Sequence, residues 1–194
     1  SIRFVWTGEE AARVWMAKTM CDFEPSLIDP FVWNYIDVTQ DQPYKLYTEQ
    51  MKADIKEHSG GLFYGKIMSP VAGKLVVERI PKSKPKGDAE LLEYGKQITV
   101  SANDANALYC FPKNWTSTEF VATSNHSVEM YVSNQADFSF DGTNVLTTCS
   151  FDTEGSEKVL YLSTKEIADF AAQASDDYIY VRFKSATTIS IMPN

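Results

Sequence analysis

Apolar and polar positions alternate between Asp176 and Phe183: Ile179, Val181 and Phe183 fall on one face, Tyr178, Tyr180 and Arg182 on the other. That period of two is the pattern of a strand with one face in a core. Comparable runs recur through the second half of the chain: Gln97 to Ser101, Ala107 to Pro112, Glu119 to Ser124, Ser127 to Ser133, Asp137 to Phe140, Val145 to Phe151, Lys158 to Leu162, Tyr178 to Lys184 and Thr187 to Met192. Asp141-Gly142 and Glu154-Gly155 supply turn residues between several of them. Short strands at a spacing of about ten residues predict an antiparallel β-sandwich. One helix interrupts the series. Ser163 and Glu166 form a capping-box pattern, and Ile167, Phe170, Ala171 and Ala174 share an apolar face that should cover one end of the sandwich.

The first 80 residues read differently. Ile2 to Trp6 is an opening strand, Thr7 and Glu10 make a second capping-box pattern, and Ala11 to Met20 follows as a helix. Pro25 and Pro30 end that region, and Phe31 to Val38 alternates as a strand. Pro43 precedes a helix from Tyr44 to His58, with Tyr47, Met51 and Ile55 at intervals of four and Gly60-Gly61 as its stop. Leu62 to Met68 and Lys74 to Ile80 complete a small α+β layer. Pro81-Lys-Ser-Lys-Pro-Lys-Gly87 is stiff, solvated and free of apolar side chains, so residues 81–88 read as a linker between a 1–80 α+β domain and an 89–194 β-sandwich domain. The fold class expected is α+β.

Composition narrows the function. A chain of 194 residues that is 44% hydrophobic has enough apolar side chain for a core. Its net charge of −8 opposes sequence-independent nucleic-acid binding, which needs cations to displace counterions, and opposes anionic membrane surfaces. No apolar run approaches the ~18 residues of a membrane span. The chain starts at Ser1 and enters a strand at once, so a processed or excised start is expected, with any secretion signal already removed. Three cysteines, Cys21, Cys110 and Cys149, are too scattered for a disulfide framework or zinc site. Buried free thiols are expected, with a Cys110 to Cys149 bridge as the alternative.

The succession Ala107-Leu-Tyr-Cys-Phe111, Val128-Glu-Met-Tyr-Val-Ser133, Tyr178-Ile-Tyr-Val-Arg-Phe183 and Thr187-Thr-Ile-Ser-Ile191 resembles the pre-peptidase C-terminal β-sandwich modules of secreted bacterial hydrolases. The resemblance spans residues 97–193. It implies an extracellular, cell-surface or periplasmic accessory domain that binds, docks or spaces.

Catalytic signatures are missing: there is no Gly-x-Ser-x-Gly elbow, phosphate-binding glycine loop or His-Glu-x-x-His helix. The best nucleophile pair the chain offers is Cys21 with His58, and His58 already has a role beside a helix C-terminus. Asp137, Asp141, Asp152, Asp176 and Asp177 lie near turns, where turn formation accounts for them without calcium. Neither cofactor nor metal is expected. Asn114-Trp-Thr116 and Asn125-His-Ser127 match the glycosylation acceptor pattern.

The face opposite Ile179, Val181 and Phe183 is the binding candidate. Tyr178, Tyr180 and Arg182 should point outward there, joined by Glu129 and Tyr131 from the strand that buries Val128, Met130 and Val132, with Trp115 on a loop as a further platform. Such a surface would stack on a sugar ring or a partner protein. The leading expectation is therefore a secreted, non-catalytic binding module for a glycan or protein, with Tyr131, Tyr178 and Tyr180 exposed together. The alternatives are the processed C-terminal part of a peptidase-like hydrolase, with Cys21 and His58 in one groove, and a structural subunit marked by an open sheet edge or apolar patch.

Overall fold

The computed structural model describes residues 2–17, 32–38, 44–46, 64–101, 107–124, 126–151 and 157–194. They are mostly strands in several antiparallel sheets, with a single short helix among the described residues. The chain divides into two compact units, 1–78 and 79–194.

The first unit holds β1 (Ile2–Trp6), β2 (Ala12–Ala17), β3 (Val32–Val38), β4 (Tyr44–Leu46), β5 (Tyr64–Met68) and β6 (Leu75–Arg79). They form two three-stranded sheets, ordered β4-β1-β6 and β3-β2-β5. The opening strand and the strand at 32–38 lie where the alternation put them. The helix expected from Ala11 does not: residues 12–17 are β2, paired with both β3 and β5. Thr7 does not cap a helix, because its hydroxyl accepts the backbone N–H of Lys74 at 3.0 Å. Ala12 and Val14 are buried while Arg13 points outward to a bidentate pair with Asp37, at 2.6 and 2.8 Å. Tyr44–Leu46, expected as a helix start, is an extended strand against β1. The rest of that expected helix lies outside the described residues. The indole of Trp6 packs so closely on Gly8 that a Cβ there would come within 2.6 Å of its ring, so glycine is required by space.

The second unit holds β7 (Glu90–Leu91), β8 (Gln97–Val100), β9 (Tyr109–Pro112), β10 (Thr118–Thr123), β11 (Glu129–Ser133), β12 (Thr147–Ser150), β13 (Glu157–Leu162), α1 (Thr164–Ala171), β14 (Tyr178–Lys184) and β15 (Thr187–Pro193). A four-stranded sheet runs β13-β10-β15-β8 and a five-stranded sheet runs β12-β11-β14-β9-β7. Pairing is antiparallel except between β7 and β9. The two sheets meet through aromatic rings: Phe120 of β10 lies 6.2 Å from Phe111 and 6.4 Å from Phe183, both on the facing sheet.

Alternation in β14 sets its inner face correctly, with Ile179, Val181 and Phe183 at most 2% exposed. The strand expected over Asp137 to Phe140 is instead part of a loop closed on itself. Asn144 Nδ2 donates to the Asp137 carbonyl and Ser139 Oγ to Asp141, leaving no partner strand for the segment. β7 is too short for any periodicity to reveal; it is held by Glu90 N–H to Leu108 O and Leu92 N–H to Cys110 O. α1 begins as its capping box requires. Ser163 Oγ accepts the Glu166 N–H, the Glu166 carboxylate accepts the Ser163 N–H at 2.8 Å, and Ile167 is fully buried.

Candidate functional site

The expected tyrosine surface lies on one face, as the alternation requires, and that face is covered. Register places Tyr131 opposite Arg182, Ser133 opposite Tyr180 and Cys110 opposite Tyr180, all on the outer side of the five-stranded sheet. Tyr178, Tyr180 and Tyr131 are nevertheless only 2%, 0% and 9% exposed. Their expected joint exposure is corrected: neighbouring segments of the chain roof them. Ala89, Leu91, Leu108, Ala136, Phe140 and Val145 pack on this cluster.

Hydrogen bonds tie the roof down. Residues 81–88, read above as a linker, belong to the second unit, where the Tyr178 hydroxyl donates to the Ser83 carbonyl at 2.5 Å. The Lys86 N–H donates to the Tyr180 oxygen at 3.0 Å, and that hydroxyl donates to Asp176 at 2.8 Å. Ser83 Oγ donates to Asp177 at 2.6 Å. Arg182 is half-buried with its guanidinium 5.1 Å above the Phe138 ring, and Glu129 is half-exposed, accepting from the Tyr131 hydroxyl with Lys184 3.5 Å away. Trp115 is no platform either. It is 4% exposed and stacked between Tyr94, at 4.1 Å, and Phe111, at 5.0 Å.

Burial, reinforced by Asp176, pushes the Cys110 thiol up to about 12, and burial raises the Tyr178 and Tyr180 phenols above their ordinary range. Each folded-state value lies above the unfolded one, so the neutral forms stabilise the fold below the unfolded thiol and phenol values and that stability is lost as pH rises through the shifted ones. Thermal stability should therefore fall steadily above about pH 9, and Tyr180→Phe should flatten that fall. An alkaline melting curve unchanged by Tyr180→Phe would remove Tyr180 from this role.

Cys110 and Cys149 are free thiols on opposite sides of their sheet: Cys110 pairs with outward Tyr180, Cys149 with inward Met130. A bridge between them is excluded by that geometry. Asp141 serves its turn, accepting from Ser139 Oγ at 2.6 Å and the Thr143 N–H at 2.9 Å, and these bonds hold its carboxyl at about 2. Asp176 and Asp177 are engaged by the tyrosine roof, and no group of three metal-ligating side chains occurs among the described residues. Asn114 is exposed, its amide donating to the Arg79 carbonyl at 3.0 Å. Cys21, His58, Asn125 and Asp152 lie outside the described residues. No described helix is long and apolar enough to cross a membrane.

The open surface is on the other sheet. Its outward positions form three cross-strand rows: Tyr161, Glu119 and Met192; then Val159, Val121, Ser190 and Gln97; then Glu157, Thr123, Thr188 and Thr99. Tyr161 is 48% and Val159 40% exposed. The four strands span about 14 Å across the rows, and Gln97 Nε2 donates to Ser190 Oγ at 3.2 Å within the second row. At the border, β13 is closed to strand addition by an inward cation. Lys158 is 5% exposed, with its ammonium on the His126 carbonyl at 2.5 Å, a device that protects sheet edges. With the β13 edge so protected, the outward face is the contact surface this sheet offers along β13. The sequence held a faint signal of it in the Glu157-Lys-Val-Leu-Tyr-Leu162 alternation, where either set could have faced the core. In the first unit, Ile67, Met68, Ser69 and Pro70 line an open pocket of about 450 Å³ with no titratable group among these four.

No protein-family model matches the chain, and no curated protein matches it in sequence.

Proposed function

We propose that the chain is a non-catalytic binding module whose contact surface is the outer face of the four-stranded sheet. In this reading the second unit is a β-sandwich accessory module akin to the pre-peptidase C-terminal type, and it works outside the cytoplasm, in the extracellular space, at the cell surface or in the periplasm. The observation that carries the reading is a face with Tyr161 and Val159 standing exposed in adjacent rows, while the tyrosines of the opposite sheet are roofed by neighbouring segments of the chain. Exposed apolar side chains gathered on one face mark a surface that meets something else.

The test pairs Val159→Lys with Tyr161→Lys. Both side chains point to solvent, so the double variant should melt within about 1 kcal/mol of the parent. It should lose the parent's signal on an immobilised glycan array and in self-association measured by sedimentation. A double variant that keeps every interaction of the parent would move the contact surface elsewhere.

A further inference from the structure

The face has a chemistry of its own, and from it we infer, resting on the binding-module reading above, that its ligand is a neutral oligosaccharide seated on Tyr161. Charge is the first argument. Across the outward positions of β8, β10, β13 and β15 there is no Lys or Arg, and the only ionisable side chains besides Tyr161 are Glu119 and Glu157. A polyanion, whether nucleic acid, acidic glycan or anionic lipid, meets no cation there and two carboxylates. Charge complementarity therefore leaves neutral or cationic ligands.

The division of the remaining positions selects among those. Tyr161, Val159, Val121 and Met192 make an apolar strip along β13 and its neighbours, while Thr99, Gln97, Ser190 and Thr188 make a strip of hydroxyls and an amide on the far side. A sugar chain has that duality: apolar C–H faces and a rim of hydroxyls that donate and accept. The contact core of a protein interface is ordinarily richer in aromatics and Arg than a strip with one tyrosine. Glu119 sits directly across from Tyr161 in register, and its carboxylate also accepts from the Asn194 amide. A ring stacked on Tyr161 would place its hydroxyls beside the Glu119 oxygens, and carboxylate acceptors make the stronger hydrogen bonds. Gln97 and Ser190, already joined to each other, would meet the next units of the chain.

The experiment is calorimetric titration of the full chain with cellohexaose, chitohexaose and mannohexaose, with hexagalacturonate as the acidic counterpart. The expected result is binding of at least one neutral hexasaccharide and none of the acidic one. Tyr161→Ala should weaken that binding by about tenfold or more, Tyr161→Phe should retain it, and Glu119→Gln should weaken it with unchanged melting. Preference for hexagalacturonate, or neutral binding indifferent to Tyr161→Ala, overturns the inference. If no hexasaccharide binds but the chain self-associates and Val159→Lys with Tyr161→Lys abolishes this, the sugar is wrong and the contact surface stands. If neither sugar binding nor self-association occurs, both readings fall.

Discussion

Phe120→Ala is expected to destabilise the second unit by about 3–5 kcal/mol. Phe120 is fully buried on β10 at the centre of the four-stranded sheet, and its ring is the bridge to the facing sheet through Phe111 and Phe183. Phe151 reaches the same Phe183 ring at 6.4 Å, so a hole at Phe120 opens beneath a continuous aromatic layer. The strands on either side of β10 hold the backbone in place by full ladders, and collapse into the hole is limited. Urea melts followed by near-ultraviolet circular dichroism would measure it. Phe120→Leu, which fills most of the volume, should cost less than about 1.5 kcal/mol. A loss below about 1 kcal/mol for the alanine variant would mean that the sheets are not held together through this ring.

Glu78→Leu alone is expected to cost about 3–5 kcal/mol in the first unit. Arg3 on β1 and Glu78 on β6 are 2% and 5% exposed, and Arg3 Nε donates to the Glu78 carboxylate at 2.7 Å while its terminal nitrogen bonds the same oxygen. Removing the carboxylate takes the Glu78 counter-charge from a guanidinium held away from water, and that lost compensation is the main cost. Arg3→Met combined with Glu78→Leu should recover most of the loss, because two packed apolar side chains need no charge compensation. If the double variant is as unstable as the single one, shape and not charge governs the site.

The two capping-box patterns show how far local reading reaches. Ser163 and Glu166 start α1 because both partners lie within four residues and nothing distant competes for them. Thr7 and Glu10 carry the same pattern and start no helix. The Thr7 hydroxyl is taken by Lys74, 67 residues away in sequence, and β2 gains two neighbouring strands in place of helical hydrogen bonds. Such a contest is invisible to a four-residue pattern, because the winner is a partner the local sequence does not contain. The tyrosines show the same limit one level up. Alternation assigned Tyr178, Tyr180 and Arg182 to the face opposite the core, and the register of β9, β11 and β14 agrees. Whether that face met water depended on Ser83, Lys86 and Ala136, which come from loops with no periodicity, and on Leu91 of the two-residue β7.

By itself the sequence determined the period-two strands of the second half, the inward set Ile179, Val181 and Phe183, the capped start of α1 and the acidic balance that disfavours polyanions. These follow from covalent order: side chains two apart share a strand face, and a cap and its partner are neighbours on the chain. Only the tertiary structure decided that the tyrosine face is roofed and that Val159, Tyr161 and Glu119 lie in adjacent open rows. Exposure is a property of what packs on a surface. For Tyr161 and Glu119, 42 residues apart in sequence, adjacency exists only once β13 has found β10.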